Sequence, residues 1–139
     1  MEEKKPKGPK PQVLSVGQCG FDHGNIGRVL AEHFGAEVQA AATSELALRA
    51  VRDGQFDLVL VNRVFDANGD SGLELIKKWQ SDEETRATPV MLVSNYSDAQ
   101  DAAIALGARP GFGKNALTAP ETHERLSSVL SIGRGLDVV

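Results

Sequence analysis

Residues 56–72, FDLVLVNRVFDANGDSG, decide the fold. Asp57 to Val61 is a near-continuous apolar run, which predicts a strand buried on both faces, as in the middle of a parallel sheet. Asp66 to Gly72, DANGDSG, is a polar turn built from the residue types that turns favour. Between run and turn stands Asn62, an amide at the point where the chain leaves the sheet.

Toward the C-terminus, Leu73, Ile76 and Trp79 repeat at helical spacing and predict a helix from Ser71 to Gln80. Ser81 to Pro89 is a surface connection, and Val90 to Ser94, VMLVS, is a second apolar strand. An Ala-rich helix follows from Asp98 to Leu106, then a short strand near Gly111 to Gly113. The last helix is expected from Thr118, where TAPE resembles a capping box closed by Glu121, to Ser131, with Leu126, Val129 and Leu130 inward. Toward the N-terminus, Thr43 or Ser44 caps a helix that runs to Arg52 and stops at Gly54. Glu37 to Ala41 is a weaker strand, Asn25 to Phe34 a helix ended by Gly35, and Val13 to Val16 the first strand.

Five strand–helix pairs of this length predict an α/β domain with a parallel sheet, helices on both faces and right-handed crossovers. Sites in such sheets form beyond the carboxyl ends of the strands. Those ends carry Gly17, Gln18, Asn62, Ser94 and Lys114.

The chain of 139 residues holds one domain, with 41% hydrophobic and 24% charged residues. Residues 1–11, MEEKKPKGPKP, form a basic tail expected to be disordered; residues 12–132 are the folded domain and 133–139 a C-terminal tail. A net charge of −4 argues against nucleic acid and against a membrane surface as partner. No apolar run is long enough to span a bilayer, and the N-terminus carries no signal-peptide pattern. The lone cysteine, Cys19, excludes an internal disulfide and fits a reducing, cytoplasmic setting.

The sequence resembles the receiver domain of two-component response regulators over roughly Gln12 to Leu130. VLSVGQCGFD stands where that family has a strand followed by an acidic pair, FDLVLVN where a strand ends in the phosphoacceptor aspartate, and PVMLVS where one ends in Ser or Thr. GARPGFGK matches the Gly-Ala turn and the strand that leads to an essential lysine. The resemblance implies a flavodoxin-like (CheY-like), doubly wound five-stranded sheet in a single domain.

Residue by residue it also implies a degenerate site. Gly17 and Gln18 take the place of the acidic pair, Asn62 that of the phosphoacceptor, and Ser94 and Lys114 retain the phosphate-contact positions. In the family a carboxylate attacks phosphorus while carboxylate-held Mg²⁺ screens the charge. An amide is a poor nucleophile and a weak Mg²⁺ ligand. The position of the family's switch aromatic falls on Gly111, with Phe112 one residue later, and Lys114 is followed by Asn115 where a proline is usual.

Other residues invite sharper readings, each beside a plainer one. Asp66, Asn68 and Asp70 have the oxygen spacing of a calcium loop, but the glycine falls one place late and Lys77 stands where a bidentate Glu belongs; a helix-capping loop ending in Asp70 or Ser71 is preferred. Cys19, Asp22 and His23 lack the companions of a metal or nucleophilic site, and Asp22 is a candidate cap. His33 and His123 are expected as packing or surface residues, and Asp57 lies at the wrong end of its strand to be an acceptor. Ser94 and Lys114 are either a strand-end hydroxyl and a surface lysine or two walls of a remnant pocket.

The expected function is a phosphorylation-independent pseudo-receiver: a regulatory module that binds a protein partner or a second copy of itself, is not an enzyme, and needs no metal or cofactor. One alternative is an active receiver using Asp22 or Asp66; another is a domain binding a small anion or metabolite. The resemblance makes the Ala-rich helix part of the signalling face, with Ala99, Ala102, Ala103 and Ile104 as candidates. With Gly17, Gln18 and Asn62 neutral, Lys114 is expected to leave the old site net positive.

Overall fold

The computed structural model describes residues 10–134, with side chains to residue 130. The two expected tails, residues 1–11 and 133–139, lie for the most part outside the described residues. Lys10 and Pro11, however, belong to the domain: the Pro11 carbonyl accepts from Glu37 N at 2.9 Å, and Lys10 Nζ lies 3.5 Å from Glu37 Oε2.

Strands β1 (Gln12–Val16), β2 (Glu37–Ala41), β3 (Leu58–Asn62), β4 (Val90–Val93) and β5 (Arg109–Phe112) form one parallel sheet in the order β2-β1-β3-β4-β5. They alternate with α1 (Gly20–Phe34), α2 (Ser44–Asp53), α3 (Gly72–Ser81), α4 (Ser97–Ala105) and α5 (Pro120–Arg134). The expected doubly wound α/β sheet is the observed one.

β3 is buried at every residue because both its faces carry hydrocarbon. Val59 and Val61 point to the layer formed by Ala47 and Val51 of α2, Ile76 and Trp79 of α3, and Ala99 and Ala103 of α4. Leu58 and Leu60 point to the opposite layer, against Ile26 and Leu30 of α1 and Leu126 and Leu130 of α5. β2, at one edge, is mostly exposed, which is why its sequence signal is weak.

Several boundaries differ from expectation for local reasons. α1 begins at Gly20, five residues early, because Cys19 caps it: its sulfur accepts from Asp22 N at 3.5 Å. The added turn carries two glycines and the solvent-facing Phe21, so it adds no apolar stripe to read. Thr43 caps α2 and Ser71 caps α3 through their side-chain oxygens. α5 starts at Pro120, a residue suited to a first helical position and one step later than a Thr118–Glu121 box would start it.

β5 starts two residues earlier than expected and carries an irregularity. Met91 pairs with Arg109 and Val93 with Phe112, so β5 fits an extra residue into that interval. Gly111, in the irregular stretch, takes its hydrogen bonds from helices: Gln100 Oε1 accepts from its N at 3.2 Å, and Arg125 Nη1 donates to its O at 2.6 Å. The amide of Gln100 also donates to the carbonyls of Leu92 at 2.9 Å and Ser94 at 3.1 Å. A Cβ on residue 111 would collide with the Leu92 carbonyl.

Candidate functional site

The carboxyl ends of β1, β3, β4 and β5 bring Gly17, Gln18, Asn62, Ser94 and Lys114 to one end of the sheet. Asn62 closes β3 and is 8% exposed, so its amide must find partners inside the protein. It does so completely. Nδ2 donates to Gly17 O at 3.1 Å and to Val64 O at 2.7 Å, while Oδ1 accepts from Arg63 N at 3.1 Å. The side chain thus ties the end of β1 to the loop after β3. It also offers a donor, not a nucleophilic oxygen, toward two carbonyls.

Gly17 has a positive φ of 76°, and a Cβ there would collide with the ring of Phe65. Phe65 follows Asn62 by three residues and is 1% exposed within the α2–α3–α4 layer. The Gly17 carbonyl accepts a further bond, from Asp66 N at 2.9 Å. The neighbouring Gln18 carboxamide is buried at both of its polar atoms, with no hydrogen-bond partner among the described residues.

Lys114, past the end of β5, is not a loose cation. Its Nζ lies 2.7 Å from Asp22 Oδ2 on the first turn of α1. The hydrogen bond from Lys114 holds the Asp22 carboxyl below its ordinary pKa; partial desolvation opposes this, and the Cys19 thiol, 3.4 Å away, reinforces it. The expectation of a net positive cluster is therefore corrected, because Asp22 neutralises Lys114. Ser94, buried at the end of β4, accepts from Tyr96 N at 3.2 Å through its hydroxyl. That bond is the plainer of its two readings.

The remaining candidates separate. In the loop, Asn68 Oδ1 accepts from Asp70 N at 2.9 Å and Ser71, not Asp70, caps α3. Asp57 lies at the amino end of β3, where its carboxylate accepts from Gln12 N at 2.8 Å. His33 and His123, expected as packing or surface residues, meet edge to face with ring centres 5.8 Å apart, and His123 stacks on Phe34 at 4.9 Å. The proposed face on α4 needs correction. Ala99 and Ala103 turn inward, at 9% and 0% exposure; Ala102 is half-buried, and Ile104, at 44%, faces outward.

The resemblance implies Mg²⁺, and the residues present do not fit it. Positions 17, 18 and 62 supply no carboxylate, the nearby Asp22 is paired with Lys114, and Asn62 Nδ2 stands between the two converging carbonyl oxygens.

The sequence reading missed Phe65, Gln100, Arg125 and the Arg63–Tyr96 contact, in which the guanidinium lies 4.9 Å from the ring centre. Phe65 did leave a signal, as a lone large apolar residue inside a polar loop. The others are ordinary surface residue types whose partners come from distant segments.

No protein-family model matches the sequence, and no curated protein matches it. Solved structures do. A response regulator from Thermotoga maritima is 26% identical, with a TM-score of 0.70 over 88% of this chain and 98% of that one. The signal receiver domain of a DNA-binding response regulator from Colwellia psychrerythraea 34H is 18% identical, with a TM-score of 0.72 over 88% and 99%. Chemotaxis response regulator CheY4 of Vibrio cholerae is 21% identical, with a TM-score of 0.64 over 91% and 99%. The chain has the CheY-like, flavodoxin-like fold of response-regulator receiver domains.

Proposed function

We propose that this chain is a signal-transduction module of the receiver type that works without phosphorylation at position 62 and acts through contact with a protein partner or a second copy of itself. The observation that carries the proposal is the Asn62 amide, whose two N–H groups are both engaged by backbone carbonyls. A group so placed presents neither a full negative charge nor a carboxylate-type nucleophile to phosphorus. The likeness to receiver domains supports a signalling role rather than an enzymatic one.

The two acids that were candidates to substitute for an aspartate are poorly suited. Asp22 is tied to Lys114, and Asp66 is exposed on the loop, where its carboxylate has no hydrogen-bond partner among the described residues to orient it for in-line attack. The test is incubation with acetyl phosphate and Mg²⁺ followed by intact-mass measurement. An unmodified mass is expected. A phosphoryl adduct mapped to Asp22 or Asp66 would overturn the proposal in favour of an active receiver. Recovery of a specific protein from native cells, or a concentration-dependent dimer by sedimentation, would identify which kind of contact it makes.

A further inference from the structure

We infer that the carboxyl end of this sheet is closed to divalent cations, and that the Asn62 carboxamide and the Phe65 ring are what close it. The carbonyl oxygens of Gly17 and Val64 converge on a single atom, Asn62 Nδ2, at 3.1 and 2.7 Å. Oxygens that converge in this way suit a hard cation. Here a neutral group with two N–H donors occupies the point of convergence and satisfies both. A cation entering would displace these two bonds; positions 17, 18 and 62 offer it no carboxylate, and Asp22 Oδ2 already holds Lys114 Nζ at 2.7 Å.

Phe65 closes the site by volume. Its ring, buried in the core, lies where any side chain at position 17 would have to begin. Gly17 is also held at φ 76°, a conformation that side-chain-bearing residues rarely adopt. Position 17 therefore cannot supply a carboxylate while Phe65 stays in place. This closure is independent of the nucleophile: a protein could lack an aspartate and still bind a cation.

The experiment is a Mn²⁺ titration of the isotope-labelled full chain, followed by paramagnetic broadening of amide resonances. No selective broadening at Gly17, Asn62, Val64 and Asp66 is expected up to about 10 mM, a range that covers millimolar affinities. Saturable broadening confined to those amides would overturn the inference, while leaving the lack of a phosphorylated residue untouched. The role of Phe65 is read separately from the melting temperature of Gly17→Ala. A marked drop is expected, and a smaller one when Phe65 is replaced by Leu. An unchanged melting temperature, or an equal drop in both backgrounds, would show that the ring does not fill the space.

Discussion

Replacing Asn62 with aspartate changes only one atom group, an NH₂ for an oxygen, yet it should strongly destabilise the protein. In the native chain Nδ2 donates to Gly17 O and Val64 O, at 3.1 and 2.7 Å. In Asn62→Asp an oxygen would face both carbonyls. Two hydrogen bonds worth about 1 kcal/mol each would be lost. A carboxylate would also be buried, with Lys114 already engaged by Asp22. An uncompensated buried charge costs about 3–5 kcal/mol, a large part of the roughly 5–15 kcal/mol that holds a domain together. The protein can reduce this cost by keeping the new acid protonated, since an OH restores one of the two donors.

The folded-state pKa of that acid should therefore rise above its unfolded value of about 3.9. The folded state then binds more protons than the unfolded state between those two values. Stability relative to the native chain is best below about pH 4 and falls as pH rises to the raised pKa, then stays low. Paired urea denaturation of native protein and variant, across pH 4 to 8, measures this directly. A penalty under about 1 kcal/mol at pH 7.5, or one that shrinks as pH rises, would contradict this role of the Asn62 amide. It would mean that a cation reaches position 62. For the same reasons the variant should not gain efficient phosphorylation from acetyl phosphate with Mg²⁺.

The other outcomes concern the ion pair, the fourth helix and the fifth strand. Asp22→Asn should cost about 1 kcal/mol at neutral pH. Because the Asp22 pKa is lowered, its contribution is present above about pH 4 and disappears as pH falls through the depressed value, so thermal melts of variant and native chain should converge in acid. Ala103→Glu should unfold the protein or cost over about 3 kcal/mol, whereas Ile104→Glu should stay within about 0.5 kcal/mol by urea denaturation; a stable Ala103→Glu would show that α4 does not pack inward as described. Gln100→Ala should cost about 2–3 kcal/mol, because it leaves Gly111 N without its acceptor and removes the donor shared by the Leu92 and Ser94 carbonyls. Equal urea midpoints for Gln100→Ala and the native chain would argue that water replaces that amide.

The sheet was legible because burial on two faces writes a long apolar run, as at Leu58 to Val61, and because such runs alternate here with helical stripes such as Leu73, Ile76 and Trp79. The position of Asn62 at a strand end followed from the same run. What escaped was whatever depends on contact between distant segments. Nothing local to Asp22 or Lys114 announces their 2.7 Å pair, and His33 gives no sign of His123. Alanine put Ala99 and Ala103 on the outer face of α4 because it is compatible with core and surface alike; only the structure separates inward Ala103 from outward Ile104. The irregularity in β5 escaped because Pro110 and Gly111 carry almost no strand signal, and the bonds that stabilise the strand there belong to Gln100 and Arg125.

That irregular strand ties the last third of the chain together in time as well as in space. A regular edge strand is completed by its neighbour in the sheet, but part of β5 is completed by a side chain from α4 and another from α5. β5 therefore gains its full set of bonds only after both helices have docked, and loses them when either one lifts away. The three elements are expected to open as one cooperative unit, at the edge opposite β2. Gly111 should report that event: its amide should exchange with solvent at the same opening free energy as the backbone of α4, and not at the higher one of the central strand β3.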